Sequence, residues 1–159
     1  MSRNLISKLK LLAYNCQYKL YKELQMRVFL FVFLISTYSF SAIIDDYMNN
    51  LQKEVLVKNA SFKGFDIKRG EEIFTSKHIG KRGKEISCVS CHTNDFSQNG
   101  ENIFTGKVIK PLSNKTNPKR LTDIKTINKW LKRNFKDVYN KEGTAQEKGD
   151  VLKYIISKG

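Results

Sequence analysis

Cys88-Val89-Ser90-Cys91-His92 places three metal-ligating side chains within five residues. Two thiols separated by two residues and followed at once by an imidazole form the pattern of covalent c-type haem attachment. The thiols add to the two haem vinyl groups, so their spacing must match the porphyrin edge. The imidazole then falls under the iron and donates a nitrogen to it. Cys88 and Cys91 are therefore the expected thioether residues and His92 the expected proximal ligand, with haem c as the one covalent cofactor. A structural zinc ion needs four ligands. The chain from residue 42 on offers only these three residues and His78, and Cys91 and His92 are awkward neighbours on one tetrahedral ion. A redox-active dithiol needs a strand leading into a helix, and no such pattern precedes Cys88.

Outward from the motif, the flanks read as short helices. Residues 43–57 contain neither Gly nor Pro, and Tyr47, Leu51 and Val55 repeat at four-residue spacing. Residues 66–76 form a second short helical stretch, with Gly70 and Phe74 one turn apart. Residues 77–87 are polar and glycine-bearing, a loop into the motif. Residues 93–121 are rich in Asn, Lys, Thr, Gly and Ser and carry both prolines, Pro111 and Pro118. A segment this long without regular structure is uncommon in a compact domain unless it wraps something, here haem. Thr122 or Asp123 caps a helix running to about Asn134, with Ile124, Ile127 and Leu131 on one stripe and Trp130 beside it. Thr144 followed by Glu147 forms a capping box that opens a last helix bearing Val151, Leu152, Tyr154, Ile155 and Ile156. The fold class is all-α, about four short helices around one haem, without evident strand alternation.

The N-terminal part has a different character. Val28 to Ile35 is an unbroken apolar run, short for a membrane span but suited to the core of a secretory signal. Ser39 and Ser41 stand where small residues precede cleavage before Ala42. Met26-Arg27 resembles the start of an ordinary signal peptide, so translation is expected to begin there. Residues 1–41 then form an extension plus signal, and 42–159 the exported, periplasmic haem domain. The alternative is an uncleaved anchor facing the periplasm. Cys16 lacks a lipid-attachment context. Removing the six Lys/Arg and one acid of residues 1–41 lowers the formal charge from +14 to +9. The remaining basic residues are spread over the chain rather than clustered, which argues against nucleic acid and for a basic face toward an acidic redox partner or the haem propionates.

Small c-type cytochromes fill the sixth iron position with Met or His, yet neither occurs after His92. His78 and Met48 upstream are candidates, with a solvated loop and core packing as their plain alternatives. Asn134 is another. It follows Ile127 and Leu131 at +7 and +3, so at about 100° per residue it falls on the apolar stripe of its helix. An amide there must find a polar partner, which an iron would supply. Equally, it could sit in a frayed helix end and cap its own backbone. An open iron is the remaining possibility. The carbonyl of Pro111 is expected, by analogy with other cytochromes c, to hold the second ring nitrogen of His92.

The series Gly70 with Phe74, Cys88 to Thr93, Thr105-Gly106-Lys107, Pro111-Leu112, Asn117-Pro118 with Arg120, Thr122 and Asp123, Lys129-Trp130 to Arg133-Asn134, and Thr144 with Glu147 to Asp150 and Leu152 resembles the sphaeroides haem protein type of monohaem cytochrome c, a domain of unknown function. The resemblance implies a class I cytochrome c-like fold with an asparagine as sixth ligand, here Asn134, that leaves the iron on reduction. Oxygen, nitric oxide or a similar diatomic ligand then binds. It also implies electron exchange with a dihaem cytochrome c. Members of that family often brace the ligand segment with a disulfide; its two positions are Phe135 and Gly143 here, which implies a looser Asn134. The function expected is electron transfer with diatomic ligand binding. A plain carrier with a permanent sixth ligand, and a haem enzyme reducing oxygen, nitric oxide or peroxide, are the alternatives. A peroxidase wants a distal His or Arg, for which Arg133 and His78 are the local suggestions.

Overall fold

The computed structural model describes residues 17–27 and 43–159. The apolar run 28–35, the cleavage position before Ala42 and Cys16 lie outside the described residues. The chain divides into two compact units, Met1–Ser41 and Ala42–Gly159. In the first, residues 17–27 are helical. No described helix is long and apolar enough to cross a membrane.

The second unit holds the haem motif. Helix α1 covers residues 43–58. Helix α2 is Ile67–Thr75, α3 the single turn Val89–His92, α4 Ile124–Tyr139 and α5 Ala145–Lys158. Each long element starts at a side chain that satisfies the otherwise unpaired first-turn N–H groups. Asp66 accepts from the Arg69 amide at 2.8 Å and Asp123 from the Thr126 amide at 2.7 Å. The capping box at α5 has both of its bonds: Thr144 Oγ1 accepts from the Glu147 amide, and Glu147 accepts from the Thr144 amide. The core forms from the expected stripes: Tyr47, Leu51 and Val55 of α1, Phe74 of α2, Ile127 and Leu131 of α4, and Val151, Leu152 and Ile155 of α5 are all buried. Tyr47 is anchored as well as buried, its hydroxyl donating to Asn128 Oδ1 at 2.6 Å.

Several features depart from the sequence expectations. The stretch 77–87 is a small hairpin, β1 (His78–Ile79) against β2 (Glu85–Ile86), with a 3-10 turn at Lys81–Gly83 between them. A second ladder, β3 (Gly100–Glu101) with β4 (Val108–Ile109), sits in the long segment after the motif. Two-residue ladders are too short to show alternation. Ile156 and Trp130, placed beside the core by periodicity, are 44% and 43% exposed. Helix α4 does not end at Asn134. The stripe continues through buried Phe135 and Val138, and the helix stops only at Asn140, which adopts a left-handed conformation at φ 53°.

Helices α2 and α5 cross closely because position 70 is glycine: a Cβ there would lie 2.1 Å from the Asp150 carbonyl oxygen. The crossing is clamped by Asp150, which is 1% exposed. Its carboxylate accepts from Arg69 Nε at 2.9 Å, from a second Arg69 nitrogen at 3.0 Å and from the Asp66 amide at 2.7 Å. A buried carboxylate with three donors is satisfied rather than strained.

Candidate functional site

The motif forms a single helical turn. His92 N–H donates to the Cys88 carbonyl at 3.0 Å and Thr93 N–H to Val89 at 3.0 Å. Ser90 Oγ accepts from the Ser87 amide at 3.0 Å, fixing the entry to the turn. Residues four apart share a helix face, so Cys88 and His92 open onto one cavity. Cys91, at +3 from Cys88, is half-buried on the same turn. The strand β3 passes directly over the motif. A Cβ at Gly100 would lie 2.0 Å from the Cys91 carbonyl oxygen and 3.1 Å from the His92 Cα, so only glycine fits there.

Burial sets the protonation of these groups. It pushes the Cys88 thiol up to about 12, helped by the neighbouring Cys91. It pushes the His92 imidazole down to about 4, helped by the Arg120 guanidinium. At neutral pH the site therefore presents a neutral thiol and a neutral imidazole. A neutral imidazole keeps a lone pair free to coordinate iron, and thioether formation needs no buried thiolate to persist. Among the described residues no cluster of three or more His, Cys, Asp or Glu side chains is arranged to hold a bare metal ion.

The cavity encloses about 380 Å³ of space free of protein atoms, part of it open to solvent. Cys88 and His92 come from α3; Phe74, Leu112, Val151 and Ile155 give apolar walls; α4 contributes Leu131, Asn134 and Phe135. Asn134 is half-buried, and its amide makes no hydrogen bond among the described residues. His92 Nδ1 is buried and also without a partner. An apolar slot lined by Cys88, one neutral imidazole and one amide without a partner among the described residues, with Cys91 on the same turn, matches the donor chemistry of a haem crevice.

The other ligand candidates lie elsewhere. His78 stacks on Tyr139 with ring centroids 4.3 Å apart and does not line the cavity. Met48 packs against the core. Arg133 lies over the Trp130 ring, outside the cavity. The Pro111 expectation is not met. Its carbonyl accepts from Asn117 Nδ2 and Arg120 Nε, both at 3.0 Å, which occupy both lone pairs. The looser Asn134 implied by a missing brace also needs revision. Asn134 sits within α4, not in a loop, and Phe135 is 4% exposed with its ring against Gly143, where a Cβ would come within 2.7 Å. Packing occupies the place of the expected bridge.

Residues 60–155 match the family model described as a domain of unknown function, DUF1924. The chain is 33% identical over 100 residues to cytochrome c'' of Methylophilus methylotrophus, covering 63% of this chain and 69% of that protein. It is 36% identical over 93 residues to the cytochrome c-type protein SHP of Cereibacter sphaeroides, covering 58% and 71%. The crystal structure of oxidized cytochrome c'' superposes with a TM-score of 0.65 at 29% identity, over 72% of this chain and 94% of that one. Oxidized SHP, described as an oxygen-binding cytochrome c, superposes with a TM-score of 0.62 at 30% identity, over 71% and 95%. The fold is thus the all-α, cytochrome c-like arrangement, and the cofactor is covalent haem c. This chain belongs to the DUF1924 family, the sphaeroides haem protein and cytochrome c'' type of monohaem c-type cytochrome.

Proposed function

We propose that this cytochrome carries electrons in the periplasm and binds a small diatomic ligand, oxygen or nitric oxide, once Asn134 has left the sixth position. Haem supplies a one-electron centre and, with its sixth position open, a site for a small neutral ligand. Cys88 and Cys91 would hold it by thioether bonds, and His92 and Asn134 would be the nitrogen and oxygen donors available to its iron. The observation that carries this reading is the cavity itself: of the candidate sixth ligands, Asn134 alone shares it with His92, and its side-chain amide has no partner among the described residues.

An amide oxygen is a hard, neutral donor. Its attraction to a ferric centre exceeds that to a ferrous one, because the charge–dipole energy scales with the charge. A bond from Asn134 to the iron would therefore be weaker in the reduced state. The remaining walls are apolar, so a small uncharged molecule enters more cheaply than an anion. That oxidized SHP is an oxygen-binding cytochrome and that a solution structure of cytochrome c'' concerns haem-ligand detachment both support the same behaviour here. Export and periplasmic location rest on the apolar run at residues 28–35, and a redox protein, a dihaem cytochrome c in particular, is the expected partner.

The test is absorption spectroscopy of ferric and ferrous holoprotein with and without carbon monoxide. Wild type should bind carbon monoxide when ferrous. Asn134→Ala should keep its haem, change the ferric spectrum and bind small anions more readily. A ferric spectrum and ligand affinities identical to wild type would remove Asn134 from the iron. A ferrous protein indifferent to carbon monoxide would leave a plain electron carrier.

A further inference from the structure

Outside the haem crevice, a continuous band of alternating cations and aromatic rings runs across the surface. Three cations surround Phe104: Lys81 at 5.5 Å, Arg82 at 5.4 Å and Lys84 at 6.0 Å from its centroid. Lys81 also pairs with Asp137 of α4 at 2.9 Å. Asp137 in turn meets Arg133 at 3.9 Å. Arg133 lies 5.5 Å over the Trp130 ring, and Lys129 lies 5.8 Å from it. The band thus links the 3-10 turn, the β3–β4 connection and the outer face of α4. It joins five cations, Lys81, Arg82, Lys84, Lys129 and Arg133, of which Lys81 and Arg133 share the carboxylate of Asp137.

We propose that this band is the docking face for an acidic electron-transfer protein. The inference rests on the electron-carrier reading above and adds the surface through which the electron passes. Three observations select a protein of that chemistry. The excess of positive charge is local and demands a negative partner. Trp130, 43% exposed, stands between Lys129 and Arg133, and an accessible Trp beside Arg is the composition of an interface anchor rather than of a solvated face. Finally, Leu131, Asn134 and Phe135 of the same helix line the haem cavity. A helix with its side chains is about 10 Å across, so a partner seated on the outer face of α4 lies roughly 10 Å from the crevice. A lipid surface or a nucleic acid would gain nothing from that proximity.

Plant plastocyanin, an acidic blue-copper protein, serves as the probe. The reduced holoprotein is mixed with cupric plastocyanin under argon, and one electron passes from the ferrous haem to reduce Cu(II) to Cu(I). Lys84→Glu with Lys129→Glu should slow the second-order rate about 10-fold or more at low salt, with the gap closing as the Debye length falls below about 10 Å. Lys63→Glu with Lys68→Glu, an equal charge change elsewhere, should stay within about 2-fold of wild type. Trp130→Ala should slow the reaction at high salt as well, because its contribution is contact area. Equal slowing by both charge pairs would reduce the effect to overall charge and overturn the proposal. So would an unchanged rate in the Lys84/Lys129 variant accompanied by lost sedimentation with phosphatidylglycerol vesicles, which would make the band a lipid-binding face. A wild-type protein that holds no reducible haem would instead sink the electron-carrier reading, and this one with it.

Discussion

The two walls of the haem cavity are built by different means. On the His92 side, the cavity-lining groups come from one helical turn, Cys88 to His92, pressed under β3 by a backbone contact that only Gly100 permits. On the Asn134 side, one polar side chain projects from the 16-residue helix α4 into a cavity that Phe135, Val151 and Ile155 also line. The first wall rests on five adjacent residues and on one backbone contact that leaves no room for a side chain at position 100. The second depends on tertiary packing and can be adjusted one side chain at a time. A site of this kind keeps its cofactor with the rigid wall and tunes it with the adjustable one.

Gly100→Val would break the rigid wall. The new Cβ would lie 2.0 Å from the Cys91 carbonyl oxygen, and backbone on both sides leaves no side chain to swing aside. The expected cost is about 4 kcal/mol or more, toward the upper end for single substitutions. Denaturant unfolding of the holoprotein measures it. A loss under about 1 kcal/mol would mean that β3 can lift away from the motif, and that the two walls are less different than the contact implies.

The difference also explains what could be read in the sequence. Adjacency is visible, so the Cys88–His92 motif and the capping box at Thr144 were legible as they stand, and Asp123 was one of two caps offered for α4. Packing is not. Asp150 entered only through the family series, and nothing local in α5 marks its burial under Arg69 and the Asp66 amide, partners more than 80 positions away. Gly100 carried no signal, because the backbone it meets belongs to a segment eight or nine residues earlier. Asn134 was correctly placed on the apolar stripe, since the period is a local property. The end of its helix was misplaced by five residues, because Phe135 and Val138 continue the stripe and no proline or glycine stops it before Asn140. The Pro111 carbonyl was misassigned for the same reason: Asn117 and Arg120 reach it only through the folding of the 111–120 loop.

Phe135→Ala would loosen the adjustable wall. The ring is buried against Gly143 and Tyr139, with centroids 5.5 Å apart in the latter pair. Removing it should destabilise the fold by about 3 kcal/mol through lost burial and the cavity left behind. The Asn134 segment should gain freedom with it. Ferric protein should then show a weaker sixth ligand, read as a shift toward the spectrum of Asn134→Ala. A destabilised protein with an unchanged ferric spectrum would show that α4 alone, without the Phe135–Gly143 contact, holds the amide in place.

The smallest effect is expected at His78, and its smallness is informative. His78 belongs to β1, paired across the ladder with Ile86, and its ring lies 4.3 Å from that of Tyr139. Tyr139 is itself fixed, since its hydroxyl donates to the Ile73 carbonyl. The imidazole is thus packed on the last turn of α4 and outside the cavity that His92 and Asn134 share. His78→Ala should cost about 1 kcal/mol, the worth of one aromatic contact. It should leave the ferric and ferrous spectra and the carbon monoxide affinity as they are in wild type. An imidazole that did reach the iron would betray itself here more clearly than anywhere else. It is a stronger donor than an amide, so its removal would shift the ferric spectrum, and the amide of Asn134 would then have no part in the sixth position. Unchanged spectra in His78→Ala, with altered spectra in Asn134→Ala, would confine the variable part of this haem site to the inner face of α4.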